Sequence, residues 1–179
     1  MEQTLPSKTL EFEEIKILFK KWGLEIEDIR VLLFLYFCQA RDFGFLRPTE
    51  LQQGLAQMLD IDLTPSAFLT QMLQDTLEDS VERRQFWGFV VSLYAFGKRK
   101  IDLEILETLA SLCFPLCNVI SQIFSFARHK GVQEFTIDQA KMTLEAALQL
   151  QELSISELLS KGIFWPALIE DFLREKEKL

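Results

Sequence analysis

The sequence predicts an all-α protein: a single-domain helical bundle over residues 1–179, with about eight or nine helices around a central apolar helix. Three observations carry this expectation. Apolar residues recur at helical spacing along nearly the whole chain, and strand-like alternation is absent. Gly and Pro are scarce, 7 and 5 in 179 residues, too few for a turn-dense all-β chain. Hydrophobic residues make up 49% of the chain and include 16 Phe, so the interior is expected to be rich in aromatic rings. No internal repeat is evident, and no linker is long or polar enough to force a domain boundary.

The elements follow in order. A first helix is expected over 11–22, with Phe12, Ile15, Phe19 and Trp22 on one face and Gly23 as its stop. A second spans 27–42, with Ile29, Leu32, Leu33, Tyr36 and Phe37 inward and Gly44 just past its end. Pro48 suits the first position of a third helix, striped by Leu51, Leu55, Met58 and Leu59. Thr64-Pro65 reads as the N-cap and first turn of a fourth, which buries Phe68, Leu69, Met72, Leu73 and Leu77. The fifth, over 84–96 and ended by Gly97, is apolar nearly all round and belongs at the centre of the bundle. Lys98, Arg99 and Lys100 follow it, where cations complement the helix dipole. A sixth begins near Asp102, and Pro115 kinks or breaks it before the helical pattern resumes over 116–127. Thr136 with Gln139, and Ser154 with Glu157, have the spacing of capping boxes, so a helix starts at each. The last starts near Pro166.

Charge and composition exclude several functions. A net charge of −8 and a pI of about 4.8 argue against nucleic acid as the partner, since phosphate neutralisation needs clustered Lys and Arg. No apolar stretch approaches the roughly 20 residues that cross a bilayer. The acidic N-terminus lacks a signal-peptide core, and the charged C-terminus is no tail anchor. A soluble protein in the cytosol or nucleus is expected. Three Cys and one His leave little material for a metal site or a disulfide framework. Phosphate-loop, dinucleotide, zinc-protease and nucleophile-elbow motifs are absent. Asp60-Ile61-Asp62 opens like a calcium loop but lacks the Gly and the closing Glu. Cys113 and Cys117, four apart, read as small apolar residues on one helical face. His129 sits between Arg128 and Lys130 at a helix end, in a capping or solvent position. No cofactor, no metal and no catalytic site are expected.

One stretch carries a resemblance. Phe86-Trp87-Gly88-Phe89-Val90-Val91-Ser92-Leu93-Tyr94-Ala95-Phe96-Gly97 resembles the first homology motif of the Bcl-2 family of apoptosis regulators, which opens that family's central helix. Leu63-Thr64-Pro65 looks like the start of the preceding helix in family members. The segment 160–171, with Phe164-Trp165-Pro166, looks like the second homology motif; the segment 130–135 has better spacing but no Trp. The motif's Arg, which pairs with an Asp of a bound death-motif helix, is Phe89 here.

The resemblance implies a pro-survival protein that sequesters amphipathic death-motif helices in a hydrophobic groove. A soluble, viral member of the family would fit, located in the cytoplasm or peripherally at mitochondria or other intracellular membranes. On this reading Leu73, Thr76, Leu77 and Ser80 form one wall of the groove. Trp87, Gly88, Phe89, Val91, Ser92 and Phe96 form its floor and rim. Arg83 or Arg84 supplies a substitute cation for a contact worth about 1.5–3 kcal/mol when charged. The alternative is an unrelated all-α adaptor or scaffold that oligomerises or binds a partner through Phe-rich surfaces. The oligomeric state is left open.

Overall fold

The computed structural model describes residues 8–59, 62–115, 117–161 and 165–178. The fold is all-α, a helical bundle with ten helices and four very short strands among the described residues. The chain clusters into two compact units, residues 1–96 and 97–179.

Unit 1 runs β1 (Leu10–Glu11), α1 (Phe12–Lys21), α2 (Ile29–Phe37), β2 (Phe45–Leu46), α3 (Pro48–Ala56), α4 (Pro65–Glu78) and α5 (Ser80–Ala95). β1 and β2 pair antiparallel, Leu10 opposite Leu46. The most enclosed helix is α2, whose run Val31–Leu35 is buried on every side and which packs on α3, α4 and α5. Its N-terminus is fixed by charge: Asp28 caps it, accepting from the Arg30 backbone N–H at 2.9 Å and from the Arg30 guanidinium at 2.6 and 2.9 Å. The same guanidinium donates to Ser66 Oγ and Thr70 Oγ1 of α4, both at 3.0 Å. An aromatic triad fills the space against α1: Phe19, Trp22 and Phe34 meet edge to face at 4.9–5.6 Å. Each such pair contributes about 0.5–1.5 kcal/mol beyond its buried area. The helix α5 lies against α2 and α4 and buries Phe86, Trp87, Val90, Val91, Leu93 and Ala95.

Unit 2 runs β3 (Lys100–Asp102), α6 (Leu103–Cys113), α7 (Asn118–His129), β4 (Glu134–Thr136), α8 (Ile137–Glu152), α9 (Ile155–Ser160) and α10 (Ala167–Glu177). β3 and β4 pair antiparallel, Ile101 opposite Phe135. Phe135 is fully buried and stands edge to face with Phe124 at 5.7 Å. A second cluster gathers Ile123, Ala146, Leu158, Trp165, Ile169, Phe172 and Leu173.

The two units repeat one order of elements, β-α-α-β-α-α-α. In each, two helices begin directly after a short strand, and the two strands pair with one another. Three of these strand-to-helix junctions close in the same way. The residue at the third helical position reaches back to the backbone N–H of its N-cap: Glu14 to Glu11 at 3.1 Å, Glu50 to Arg47 at 2.9 Å and Gln139 to Thr136 at 2.8 Å. The fourth junction, Asp102 to α6, has Ile105 at that position and no such bond is possible.

Several expectations are met. Thr64 caps α4 through Ala67 N–H, and the boxes at Thr136 and Ser154 open α8 and α9. Pro48 and Pro65 stand in first turns. Gly23, Gly97 and Gly131 take left-handed φ of 74°, 72° and 76° where helices stop. Others change. α2 ends at Phe37 because Gln39 turns left-handed, φ 51°, well before Gly44. α5 begins at Ser80, four residues earlier than expected, because Asp79 caps it by accepting from Val81 and Glu82 N–H. Pro115 falls in a full break between α6 and α7, which places Cys113 and Cys117 on different elements. The calcium-like Asp60-Ile61 lies outside the described residues.

Candidate functional site

The stretch singled out by sequence lies on α4 and α5, two helices packed on one another and separated only by Asp79. With an extended backbone, φ −75° and ψ 123°, Asp79 ends one helix and starts the next. Arg83 secures the corner from α5: its Nη1 donates to the Leu77 carbonyl at 3.2 Å, one of the last carbonyls of α4. Arg84 Nη1 reaches the Ser80 carbonyl at 3.4 Å on its own helix. Both guanidinium groups thus bond backbone at the turn, and Arg83 Nε is buried with no acceptor.

The expected groove residues divide by burial. Trp87, 1% exposed, and Val91 are sealed in the core, as is Thr76 of α4. Leu73, Leu77, Gly88 and Phe89 are half-buried. Ser80, Ser92 and Phe96 are exposed, and the Ser92 hydroxyl donates to the Gly88 carbonyl at 2.7 Å. The proposed floor is therefore core, and only the rim reaches the surface. At the position of the motif's Arg, Phe89 rests its ring on Tyr36 at 5.5 Å. The Tyr36 hydroxyl donates to Glu82 Oε2 at 3.2 Å, with Gln85 Oε1 at the same distance. Burial first, then the Glu82 carboxylate, raises the Tyr36 pKa.

Phe96 is the unexpected member. It follows α5 in the left-handed region, φ 45° and ψ 56°, and the residue is 62% exposed. That conformation costs a non-Gly residue about 1–2 kcal/mol. The apolar ring gains little burial in exchange. Gly97, the stop expected for this helix, is also left-handed, and nothing in the local sequence marks the residue before it as left-handed.

Of the two stretches that resemble a second homology motif, 130–135 ends in β4 with Phe135 in the core. In the other, Trp165 is buried in unit 2, while 162–164 lie outside the described residues.

Open surface hollows occur elsewhere. One of about 350 Å³ between α7 and α10 is lined by Gln122, Ser125, Phe126, His129, Phe172, Glu175 and Lys176. One of about 230 Å³ at the β1–β2 end of unit 1 is lined by Thr9, Arg41, Asp42, Phe45, Arg47 and Glu50. Among the described residues no group of His, Cys, Asp and Glu is placed to hold a metal, and no helix is long and apolar enough to cross a membrane. The carboxyl groups whose pKa values fall do so at helix caps and ion pairs: Asp28 beside Arg30, Asp79 under two backbone N–H groups, Glu14 beside Lys8 and Glu157 beside Ser154.

No protein-family model matches the chain, and no curated protein matches it.

Proposed function

We propose that the chain works by binding: unit 1 receives an amphipathic helix of a protein partner on the surface of α4 and α5. Phe96 is the observation that carries this reading. A large ring held in a costly backbone conformation and left in water is a poor arrangement for the free protein. It becomes a good one when a partner covers the ring. Half-buried Leu73, Leu77 and Phe89 supply further apolar surface on the same two helices. Anchors at i, i+3, i+4 and i+7 of a partner helix are suited to such a surface.

Capture of death-motif helices, with a pro-survival outcome, is the particular form of this reading suggested by the resemblance of 86–97 to the Bcl-2 family. Phe89 in place of the motif's Arg, and Arg83 turned onto the Leu77 carbonyl, leave an apolar rather than a charge-led contact. The broader reading, an adaptor for amphipathic helices, is therefore the better supported.

The test is a panel of amphipathic helical peptides, death-motif sequences among them, titrated against the full chain. Binding raises the melting temperature by mass action. Phe96→Gly and Phe89→Ala should weaken it. Death-motif peptides binding best supports the apoptotic form, and other amphipathic helices binding best supports the adaptor. No peptide binding, together with concentration-dependent self-association, overturns the proposal.

A further inference from the structure

The paired strand-to-helix junctions of unit 1 have the spacing of a known ion-binding device. A twelve-residue calcium loop between two helices takes ligands from positions 1, 3, 5, 7, 9 and 12, with Gly at 6 and a bidentate Glu at 12. Loop 39–50 joins α2 to α3, with Gly44 at the sixth position and Glu50 at the twelfth. Leu46, which pairs with Leu10, falls on the eighth. The strand pairing of Leu10 with Leu46 sets Glu14, four residues after Leu10, in the place that Glu50 holds after Leu46. The two carboxylates are thus equivalent across the strand pair.

The other ligand positions of 39–50 have changed chemistry. Positions 3, 5 and 9 are Arg41, Phe43 and Arg47, two cations and a ring where oxygen donors are needed. Gly44 is not left-handed, and its N–H is taken by Asp42 Oδ1 at 2.7 Å. Each of the two carboxylates instead faces a cation of its own chain. Lys8 Nζ lies 2.6 Å from Glu14 Oε1, and Arg47 Nη1 lies 3.8 Å from Glu50 Oε1. Glu50 is only 9% exposed, so an unneutralised charge there would be costly. Unit 2 supplies the contrast. Its equivalent positions, four residues after Ile101 and Phe135, are Ile105 and Gln139, with no carboxylate to balance.

We propose that the loop 39–50 between α2 and α3, and the strand-to-helix junction of β1 and α1 that pairs with it, are of the calcium-loop type, with side-chain cations, Arg47 and Lys8, standing in for the ion. The unit keeps its shape without metal and does not respond to calcium. This holds whichever partner the chain takes.

Two measurements on the full chain test it. First, the melting temperature and near-ultraviolet circular dichroism should be unchanged between chelator and ~1 mM calcium, the affinity of the weakest such loops. A calcium-dependent shift overturns the proposal. Second, Arg47→Met should lower the melting temperature, and Glu50→Gln added to it should recover most of the loss, because the cation is needed only while the carboxylate is there. Strictly additive effects overturn the proposal. The triple variant Arg41→Asp/Phe43→Asp/Arg47→Ser restores oxygen ligands. If it folds, calcium should now raise its melting temperature, and a folded variant indifferent to calcium overturns the loop assignment. If it does not fold, the Arg47 and Glu50 cycle decides.

Discussion

Gly54 of α3 lies directly over Cys38 at the end of α2: a Cβ placed on Gly54 would fall well inside the contact radius of the Cys38 sulfur and 3.1 Å from the Phe34 ring. The glycine is there for close approach of two helices, since its backbone is ordinary helix. Gly54→Ala gains helix propensity of about 1 kcal/mol but overpacks a buried contact, a cost of roughly 1–3 kcal/mol. A net loss of stability is expected, read as a lower denaturant midpoint. Cys38→Ala removes the sulfur, so the double variant should recover part of the loss. A neutral Gly54→Ala would show that α3 moves away from α2 without penalty.

Asp28 and Arg30 make stability depend on acid in a defined direction. The hydrogen bonds from the Arg30 side chain, foremost, and its backbone N–H hold the Asp28 carboxyl below its usual value. The folded value is depressed, so the contribution is present above the unfolded value near ~3.9 and fades as pH falls through the folded one. Asp28→Ala should cost about 1 kcal/mol at neutral pH, as loss of an N-cap does. The difference from the parent should shrink as pH drops below ~4. A difference that stays constant to low pH would mean that the carboxylate contributes nothing as an anion.

What could be foreseen from sequence was local. Thr64, Thr136 and Ser154 announce helices because a cap is satisfied within three residues. The strands were not legible, since two or three residues such as Leu10–Glu11 have no room to alternate. The repeated order of elements was hidden because its equivalent residues differ: Leu10 with Leu46 in one unit, Ile101 with Phe135 in the other. At the candidate site, an all-apolar helix does not distinguish core from rim. Trp87 and Val91 went inside, and Phe89 stayed half out against Tyr36. Tertiary packing made that choice, and periodicity along one helix does not record it.

Phe96→Gly separates stability from binding. Glycine pays no steric penalty in the left-handed region, so the variant should be more stable than the parent by about 1 kcal/mol. If Phe96 is a partner contact, the same variant binds an amphipathic helix more weakly. A variant that is both more stable and equally good at binding would remove Phe96 from the site. One that is less stable would show that the ring packs in the free protein.

The three cysteines should react in a set order. Burial pushes the Cys113 thiol up to about 12 and raises Cys38 as well. At pH ~8 both remain thiols, while the thiolate is the reactive form. Cys117, at the start of α7, is half-buried, with Gln151 Nε2 3.9 Å from its sulfur. An alkylating reagent should therefore modify Cys117 first in the native protein. Cys38 and Cys113 should react only when their surroundings open, at rates that follow denaturant. Because Cys38 belongs to unit 1 and Cys113 to unit 2, peptide mapping of the labelled chain reads the opening of each unit separately. Labelling of Cys38 or Cys113 as fast as Cys117 without denaturant would contradict the packing of α2 on α3 or of the α6 C-terminus in its core.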